Sequence, residues 1–236
     1  MGNVDANGAD KAGARRHERS SEPAVAEALV RAARVQGVTD PRVLGALGSV
    51  SRAGFVPEQV RAEVRHDYAI PIGRAQTTSQ PSLIALMIEA LEIDAEDTVL
   101  EVGTGYGYEA ALLARLAWRV YSIERIPELA EAARVNLQRA GISNVEVVTG
   151  DGTLGLPERS PFAGIVVAAA FLSVPDPLAA QLSPGGKLVM PVGNGGGDLV
   201  KVFDKKDGDL VEKRVLCGAR FVPLLGVNGF EIPEGR

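Results

Sequence analysis

Residues 99–107 read VLEVGTGYG, a short apolar run that carries Glu101 and is followed by three glycines at alternate positions. Such a stretch predicts a buried strand, a tight turn and the start of a helix. The backbone of the turn can approach a bound ligand closely, because glycine has no side chain. We therefore interpret these residues as the cofactor loop of a Rossmann-like domain that binds a nucleoside cofactor.

Strands and helices alternate on the carboxyl side of that loop. The predicted strands are 98–102, 119–124, 145–149, 164–168 and 187–191, and the predicted helices are 106–116, 127–140 and 175–182. This βαβ repetition predicts an α/β fold with a doubly wound, mostly parallel sheet that helices cover on both faces. Two further runs, 199–204 and 210–216, predict an antiparallel hairpin at the C-terminal edge of the sheet.

Four segments are predicted along the chain. Residues 1–21 are rich in Gly, Ala, Asn and charge, so we predict a disordered tail. Residues 22–97 are predicted to form N-terminal helices and an active-site loop. Residues 98–228 form the Rossmann-like cofactor domain, and residues 229–236 are predicted to be a C-terminal tail.

The helical extension carries start signals that can be read from the sequence. A helix is predicted at 23–36, and a second begins where Asp40 provides an N-cap and Pro41 the first helical position. A third helix follows Pro81. The segment 66–79 before it shows no clear period and is long for an idle connection, which indicates a functional loop.

The composition excludes several classes of function. The chain has 236 residues, 46% of them hydrophobic, which suffices for one full α/β core, and a formal net charge of −5. That charge gives no attraction to phosphate backbones, and no apolar run is long enough to span a bilayer. We therefore expect neither a nucleic-acid nor a membrane partner. With only His17, His66 and Cys217 as histidine and cysteine, we predict no metal site, a buried apolar Cys217 and a reducing, cytoplasmic setting.

The spacing of the glycines narrows the choice of cofactor. The dinucleotide fingerprint places a small residue where Tyr108 stands, and a phenol ring there obstructs tight packing of helix on strand. An NAD oxidoreductase is therefore disfavoured. Gly103, Gly105 and Gly107, directly after Glu101, are instead similar to motif I of class I S-adenosylmethionine-dependent methyltransferases.

Two further acidic residues fall at the ends of the next two predicted strands. Glu124 is predicted to accept from both ribose hydroxyls. Asp151, followed by Gly152, is predicted to lie within reach of an adenine amino group. Taken singly, a glycine triplet is often only a tight turn, Glu124 a solvated strand end and Asp151 a turn former. Their joint placement at the carboxyl ends of three successive strands predicts a nucleoside site.

The chain from about residue 40 to residue 226 resembles the protein-L-isoaspartate O-methyltransferases. The motifs that carry the resemblance are PIG-x-x-QTTSQP at 71–81, VLEVGTGYGY at 99–108, SIER at 122–125, GDG at 150–152, LSPGGKLVMPVG at 182–193 and RFVPL at 220–224. The first and the last of these are far more specific to that family than the glycine loop is.

The resemblance implies transfer of a methyl group from S-adenosylmethionine to the free α-carboxylate of an isoaspartyl residue, which yields S-adenosylhomocysteine and a methyl ester. The ester then collapses without the enzyme to a succinimide, whose hydrolysis returns some normal aspartyl peptide. The implied role is repair of aged proteins. A peptide carboxylate is already ionised at neutral pH, so the reaction requires positioning and desolvation rather than a strong base.

The resemblance also assigns site residues. Ser79 matches the family's active-site serine, so its hydroxyl is expected to orient the substrate carboxylate, although position alone favours a cap for the following helix. The residues expected to bind the cofactor are Gln76, Thr77, Thr78, Ser79, Glu101, Gly103, Thr104, Gly105, Gly107, Glu124, Arg125, Asp151 and Gly152. The residues expected to contact the peptide are Ile72, Ala75, Ser79, Arg220, Phe221, Val222 and Pro223.

Several positions depart from the family's pattern on what we take to be the substrate side. They are Ala75, Thr78, Tyr106, Ala163, Phe171 and Leu172. These departures leave open a relative that methylates one dedicated peptide, and a non-catalytic module that binds S-adenosylmethionine is a further alternative. We expect a monomer whose partners are isoaspartyl peptides or proteins.

Overall fold

The computed structural model describes residues 22–194 and 196–232, so the predicted tail at residues 1–21 lies outside the described residues. The helices are α1 (Glu22–Val35), α2 (Pro41–Ser49), α3 (Pro81–Leu91), α4 (Tyr108–Leu113), α5 (Pro127–Arg139) and α6 (Asp176–Gln181). The strands are β1 (Ile70–Gly73), β2 (Gln76–Thr78), β3 (Thr98–Val102), β4 (Arg119–Glu124), β5 (Val145–Thr149), β6 (Phe162–Val167), β7 (Leu182–Val192), β8 (Asp198–Lys206) and β9 (Asp209–Ala219). Two 3-10 helices, Arg52–Phe55 and Glu58–Arg65, connect α2 to β1.

The large sheet has the strand order β5, β4, β3, β6, β7, β8, β9. Strands β3 to β7 pair in parallel, whereas β8 and β9 pair antiparallel with their neighbours and form the predicted edge hairpin. The chain runs outward from β3 to β5 and then returns to β6 on the other side of β3. The predicted doubly wound, mostly parallel fold is confirmed. Ligands bind such sheets at the carboxyl ends of the strands where the order reverses.

Both faces of the sheet are buried because residues alternate along the central strands. Val99 of β3 and Val166 of β6 belong to the core that the sheet shares with α1 to α5. Leu100 and Ile165, the neighbours in sequence, belong to the core on the opposite face, which α6 covers through Leu178. The N-terminal helices therefore pack into the same core as the sheet.

The two helix starts predicted in the extension are confirmed. The side chain of Asp40 accepts a hydrogen bond from the backbone N–H of Arg42, and Pro41 occupies the first turn of α2. Pro81 likewise begins α3, whose residues are buried around most of its circumference rather than along one stripe. The reason is that α3 lies between α1, α2 and the sheet.

The segment predicted as a loop at 66–79 contains a small antiparallel hairpin made of β1 and β2. Strands this short carry too few residues to show a period. The hairpin turns at Arg74 and Ala75, whose φ angles of +52° and +55° both lie in the left-handed region. Positive φ at both central residues is the conformation of the type I′ turn, which favours glycine and asparagine.

Replacing Ala75 by glycine is expected to stabilise the protein by about 0.5–1 kcal/mol. The left-handed conformation costs a residue with a Cβ about 1–2 kcal/mol, and the added freedom of glycine in the unfolded chain offsets part of that gain. Urea denaturation followed by circular dichroism measures the change. The matched control is Ala95→Gly in an exposed turn without positive φ, where the same change should destabilise. A lower midpoint for Ala75→Gly would contradict the prediction.

The chain after β9 returns to the carboxyl end of the sheet. Residues beyond 228, predicted as a tail, are packed as far as Phe230. Its N–H donates to the Leu224 carbonyl at 2.8 Å, and its ring makes an edge contact with Phe171 at 4.9 Å between centroids. Cys217 is half-buried rather than buried, because β9 is the edge strand of the sheet. No helix in the described part of the chain is long and apolar enough to cross a membrane.

Candidate active site

A cavity opens at the carboxyl ends of β3, β4 and β6, where the strand order reverses. Its walls come from the glycine loop, the end of β4, the first turn of α4 and the β1–β2 hairpin. The predicted cofactor residues that line it are Gln76, Thr77, Thr78, Ser79, Glu101, Gly103, Thr104, Gly105, Glu124, Arg125 and Gly152. Three residues predicted to contact the peptide, Ile72, Val222 and Pro223, line the same cavity.

The glycine loop turns into the cavity because its glycines adopt conformations that other residues avoid. Gly103 and Gly105 have φ angles of +103° and +55°. The N–H of Gly103 donates to the Ile123 carbonyl at 2.8 Å, which ties the loop to β4. A Cβ on Gly103 would lie 3.3 Å from the Cβ of Ala168, so the loop packs closely against the end of β6. The backbone itself therefore forms this wall of the cavity.

Glu124 ends β4 inside the cavity, with 7% of its surface exposed. Its Oε2 accepts from the N–H of Gly105 at 2.9 Å and its Oε1 accepts from the N–H of Ile126 at 2.9 Å. Burial raises the pKa of Glu124, and these two hydrogen bonds oppose the rise. A carboxylate has about four acceptor positions, so capacity remains for two hydroxyl groups of a ligand.

Glu101 is fully buried in β3 and ends a chain of hydrogen bonds. The Ser122 hydroxyl donates to its Oε2, and the Thr104 hydroxyl, 2.5 Å from the Ser122 oxygen, donates in turn to Ser122. Oε1 of Glu101 has no hydrogen-bond partner among the described residues. Burial, and next the nearby carboxyl of Glu109, hold the pKa of Glu101 well above its usual range, while the Ser122 hydroxyl and the backbone N–H of Ala110 oppose the rise.

The first turn of α4 contributes two buried polar side chains that the sequence did not identify as site residues. Glu109 is 6% exposed and lines the cavity, and burial raises its pKa to about 8. Tyr108 lies with its ring 6.0 Å from the guanidinium of Arg52, and burial raises the pKa of its hydroxyl. The available signal was a lone acidic residue within the otherwise apolar run YEAALL.

The backbone of Ser79, a residue that lines the cavity, is held by a buried arginine. Nη2 of Arg52 donates to the carbonyl of Ser79 at 3.0 Å and to that of Tyr68 at 2.9 Å, and Nη1 donates to the carbonyl of His66 at 3.0 Å. Arg52 is only 2% exposed. It therefore fixes both ends of the segment 66–79, and sequence reasoning missed it because nothing local distinguishes it from a surface arginine.

The alternative reading of Ser79 as a helix cap is wrong. The N-cap of α3 is Gln80. The side chain of Asp67, thirteen residues earlier in the chain, accepts hydrogen bonds at the amino end of this helix. Its carboxylate accepts from the N–H of Ser82 at 2.9 Å, from the Ser82 hydroxyl at 2.7 Å and from the Gln80 amide at 2.8 Å. Because Asp67 meets these needs, the hydroxyl of Ser79 is available to a ligand.

A second cavity adjoins the first at Ser79. The residues that line both are Thr77, Ser79, Ala168 and Val222. Arg220 and Phe221, predicted to contact the peptide, line the second cavity. This segment is anchored at two points, since Phe221 N–H donates to the Asp198 carboxylate at 2.9 Å and the Val222 carbonyl accepts from Ala170 at 2.8 Å.

Three predicted site residues lie outside both cavities. Ala75 is exposed at the turn of the β1–β2 hairpin. Gly107 packs against α5, where a Cβ would lie 3.4 Å from Ala133. Asp151 caps a 3-10 turn: its Oδ1 accepts from Thr153 at 2.7 and 2.9 Å, and its Oδ2 accepts from the N–H of Val227 at 2.8 Å. Asp151 thus holds the C-terminal segment against the sheet.

The residues that depart from the family's pattern do not all lie on one side. Thr78 and Tyr106 line the cavity. Ala163, however, stands at the second position of β6, which is the amino end of that strand and therefore the end away from the site. The expectation that these departures surround a substrate site is wrong for Ala163.

The cavity fits a ligand that brings hydrogen-bond donors. Three buried oxygens beside it have no partner among residues 22–194 and 196–232, namely Glu101 Oε1, Glu109 Oε1 and the Tyr108 hydroxyl. A nucleoside with an amino-acid tail supplies such donors, and S-adenosylmethionine is one. Within the same residues, no group of three or more His, Cys, Asp or Glu is arranged to hold a metal ion.

Comparison with known proteins identifies the family to which this chain belongs. Residues 24–229 match the family model described as protein-L-isoaspartate(D-aspartate) O-methyltransferase (PCMT). The chain belongs to this family. It is 49% identical over 209 residues to protein-L-isoaspartate O-methyltransferase 2 of Marinobacter nauticus, which covers 87% of this chain and 95% of that protein. It is also 49% identical over 199 residues to the Methanoculleus marisnigri protein-L-isoaspartate O-methyltransferase, covering 84% and 90%.

Solved structures of family members agree with this assignment. A protein-L-isoaspartate O-methyltransferase superposes with a TM-score of 0.77 at 32% identity, covering 86% of this chain and 66% of that one. A candidate family member from Plasmodium falciparum, solved in complex with S-adenosyl-L-homocysteine, superposes with a TM-score of 0.72 at 22% identity, covering 84% and 97%. At that identity the second likeness shows the fold alone.

Proposed function

We propose that this protein transfers a methyl group from S-adenosylmethionine to the α-carboxylate of L-isoaspartyl residues in proteins or peptides. The name of its family describes O-methyl transfer to protein L-isoaspartate. The observation that carries the proposal is the position of Ser79 between two adjoining cavities. One cavity has the glycine loop and acidic residues expected of a nucleoside cofactor site, and the other is bordered by Arg220 and Phe221.

The proposed reaction does not require a side chain of this protein to act as a strong acid or base. When bound, S-adenosylmethionine supplies a methyl group on a positively charged sulfur. An ionised carboxylate oxygen forms the new C–O bond as the C–S bond breaks, so no proton has to be removed. Charge disappears on both partners, and a site that excludes water favours that change. We assign the exclusion of water to Ile72, Val222 and Pro223, the apolar residues with which the β1–β2 hairpin and the segment after β9 line the cavity.

Positioning is the task we assign to the polar residues. The Ser79 hydroxyl donates to the substrate carboxylate, and the Arg52 guanidinium keeps the backbone of Ser79 in place. Glu124 accepts from the ribose hydroxyls. The methyl ester leaves the enzyme and collapses to a succinimide without its help, so the proposed role is repair of aged proteins.

Methyl transfer from labelled S-adenosylmethionine tests the proposal. Two peptides of one sequence, differing only in an L-isoaspartyl or a normal aspartyl residue, are incubated with the protein. We expect incorporation into the isoaspartyl peptide alone. Transfer confined to one natural peptide would favour the dedicated methyltransferase. Binding of S-adenosylhomocysteine without any transfer would favour the non-catalytic module.

Replacing Ser79 by alanine is expected to lower kcat/KM for the isoaspartyl peptide by about 10- to 100-fold. The change removes one hydrogen bond to a charged group, which is worth about 1.5–3 kcal/mol. Initial rates with labelled cofactor measure it. The matched control is Ser143→Ala, an exposed serine before β5, which should leave the rate unchanged. Equal activity of the two variants would refute the assigned role of Ser79.

We also propose that the protein acts as a monomer in the cytoplasm. In support, its single cysteine has no second cysteine in the chain with which to form a disulfide. Sedimentation velocity at micromolar concentration tests the oligomeric state, and a dimer stable under dilution would contradict the proposal.

A further inference from the structure

Glu109 is a buried acidic residue to which the proposed reaction assigns no role. It stands in the first turn of α4, is 6% exposed and lines the cofactor cavity. Its Oε1 has no hydrogen-bond partner among the described residues, and the same holds for Oε1 of Glu101. Two carboxyl oxygens from neighbouring elements are thus buried beside one cavity without a hydrogen-bond partner, although the backbone N–H of Ala110 faces the Glu101 carboxyl and opposes the rise of its pKa.

Such an arrangement is costly unless something compensates it. A buried polar atom without a partner destabilises the fold, and more strongly when it carries charge. No lysine or arginine in the described ranges forms an ion pair with Glu101 or Glu109. The guanidinium of Arg52, which lies over the neighbouring Tyr108 ring, donates to the carbonyls of His66, Tyr68 and Ser79 instead.

A retained proton explains how two buried carboxyls are tolerated so close together. Glu124 adds a further acidic group that acts on Glu101 from β4. The charges of Arg52 and Asp67 act on Tyr108, the residue before Glu109. Burial raises the pKa of Glu109 to about 8 and holds that of Glu101 well above its usual range. At pH 7 the pair therefore retains a proton in the absence of a cation.

We propose that Glu109 is a further cofactor-binding residue, whose carboxyl, together with that of Glu101, receives the ammonium group at the amino-acid end of S-adenosylmethionine. This inference rests on the proposed function. An ammonium has three N–H donors, which match the two acceptor oxygens without partners, whereas a sulfonium has none. The charges balance: one proton leaves the carboxyl pair for solvent, and the ammonium takes its place.

The exchange makes cofactor binding depend on pH. Because the carboxyl must lose its proton to receive the ammonium, affinity for S-adenosylhomocysteine rises with pH, by about tenfold per pH unit where one proton is released. This affinity is measured between about pH 6 and pH 7, because the α-amino group of an amino acid begins to lose its own proton near pH 8. S-adenosylhomocysteine keeps the ammonium and lacks the sulfonium, so it isolates the group in question.

Calorimetry on the whole chain tests this without any variant. S-adenosylhomocysteine is titrated at pH 7 in two buffers of different ionisation enthalpy, which reports the protons released per ligand bound. We expect close to one proton with S-adenosylhomocysteine and none with its deamino analogue. The analogue should also bind about tenfold or more weakly. Equal proton release and equal affinity for the two ligands would overturn the inference while leaving the proposed function intact, whereas no binding of S-adenosylhomocysteine would overturn both.

The variant Glu109→Gln tests whether Glu109 is responsible for the preference for the ligand that carries the ammonium group. We expect the ratio of affinities for S-adenosylhomocysteine and its deamino analogue to fall by about tenfold, because a neutral amide replaces the carboxylate. Glu96→Gln, an exposed acidic residue before β3, is the control and should keep the wild-type ratio. An unchanged ratio in Glu109→Gln would show that Glu101 alone receives the ammonium.

Discussion

Replacing Arg52 by methionine is expected to lower the free energy of unfolding by about 2–5 kcal/mol and kcat/KM by about 100-fold. The guanidinium donates to three backbone carbonyls, of His66, Tyr68 and Ser79, and each carbonyl left without a donor costs about 1–3 kcal/mol. Removal of the buried charge offsets part of that cost. The rate falls for a separate reason. Arg52 holds the backbone of Ser79, and a shift of about 1 Å in a positioned group can reduce a rate by about 100-fold.

Denaturant titration and initial rates with an isoaspartyl peptide measure the two effects. Arg61→Met is the matched control, since Arg61 is exposed in the 3-10 helix that follows and should tolerate the change. Arg52→Lys keeps the charge but replaces the planar fork by a single ammonium, so partial recovery is expected. If Arg52→Met matched Arg61→Met in stability and in rate, the positioning role of Arg52 would be excluded.

Replacing Glu124 by alanine is expected to weaken binding of S-adenosylhomocysteine by about 100-fold or more. If Glu124 accepts from two ribose hydroxyls, two hydrogen bonds to a charged group are lost, each worth about 1.5–3 kcal/mol. The same carboxylate also receives the N–H groups of Gly105 and Ile126, so its removal releases the glycine loop.

Calorimetry with S-adenosylhomocysteine measures this effect, and Glu131→Ala, an exposed acidic residue of α5, serves as the control. Glu124→Gln keeps one acceptor oxygen and loses the other, so it should bind S-adenosylhomocysteine more tightly than Glu124→Ala and more weakly than the unchanged protein. Its amide oxygen can still accept one N–H, but the amide nitrogen cannot accept from a hydroxyl. Undiminished affinity in Glu124→Ala would show that the ribose lies elsewhere in the cavity.

The elements of the sheet were predicted most closely where the chain alternates between buried strand and amphipathic helix. The predicted strands 98–102, 119–124 and 145–149 coincide with β3, β4 and β5. The helix predicted to begin at residue 106 begins at Tyr108 instead, because Gly107 has a φ of +91° and cannot belong to a right-handed helix. A positive φ is a property of the turn that the local pattern did not reveal.

The site was predicted less completely than the fold. The glycine loop and Glu124 lie together in the cavity because parallel strands carry their carboxyl ends to one edge. Asp151 follows the same rule, yet its carboxylate is occupied by Thr153 and Val227. The partner Val227 comes from the end of the chain, and no pattern around Asp151 indicates that contact.

The sequence by itself determined the fold class, the glycine loop and the family, because each depends on residue types at short, fixed spacings. The tertiary structure alone decided the roles open to Arg52 and Glu109. Both are charged residues that the local pattern would place in solvent, and both are buried by segments distant in the sequence. Burial removes water as a partner, so their hydrogen bonds and pKa values depend on neighbours that only the folded chain brings together.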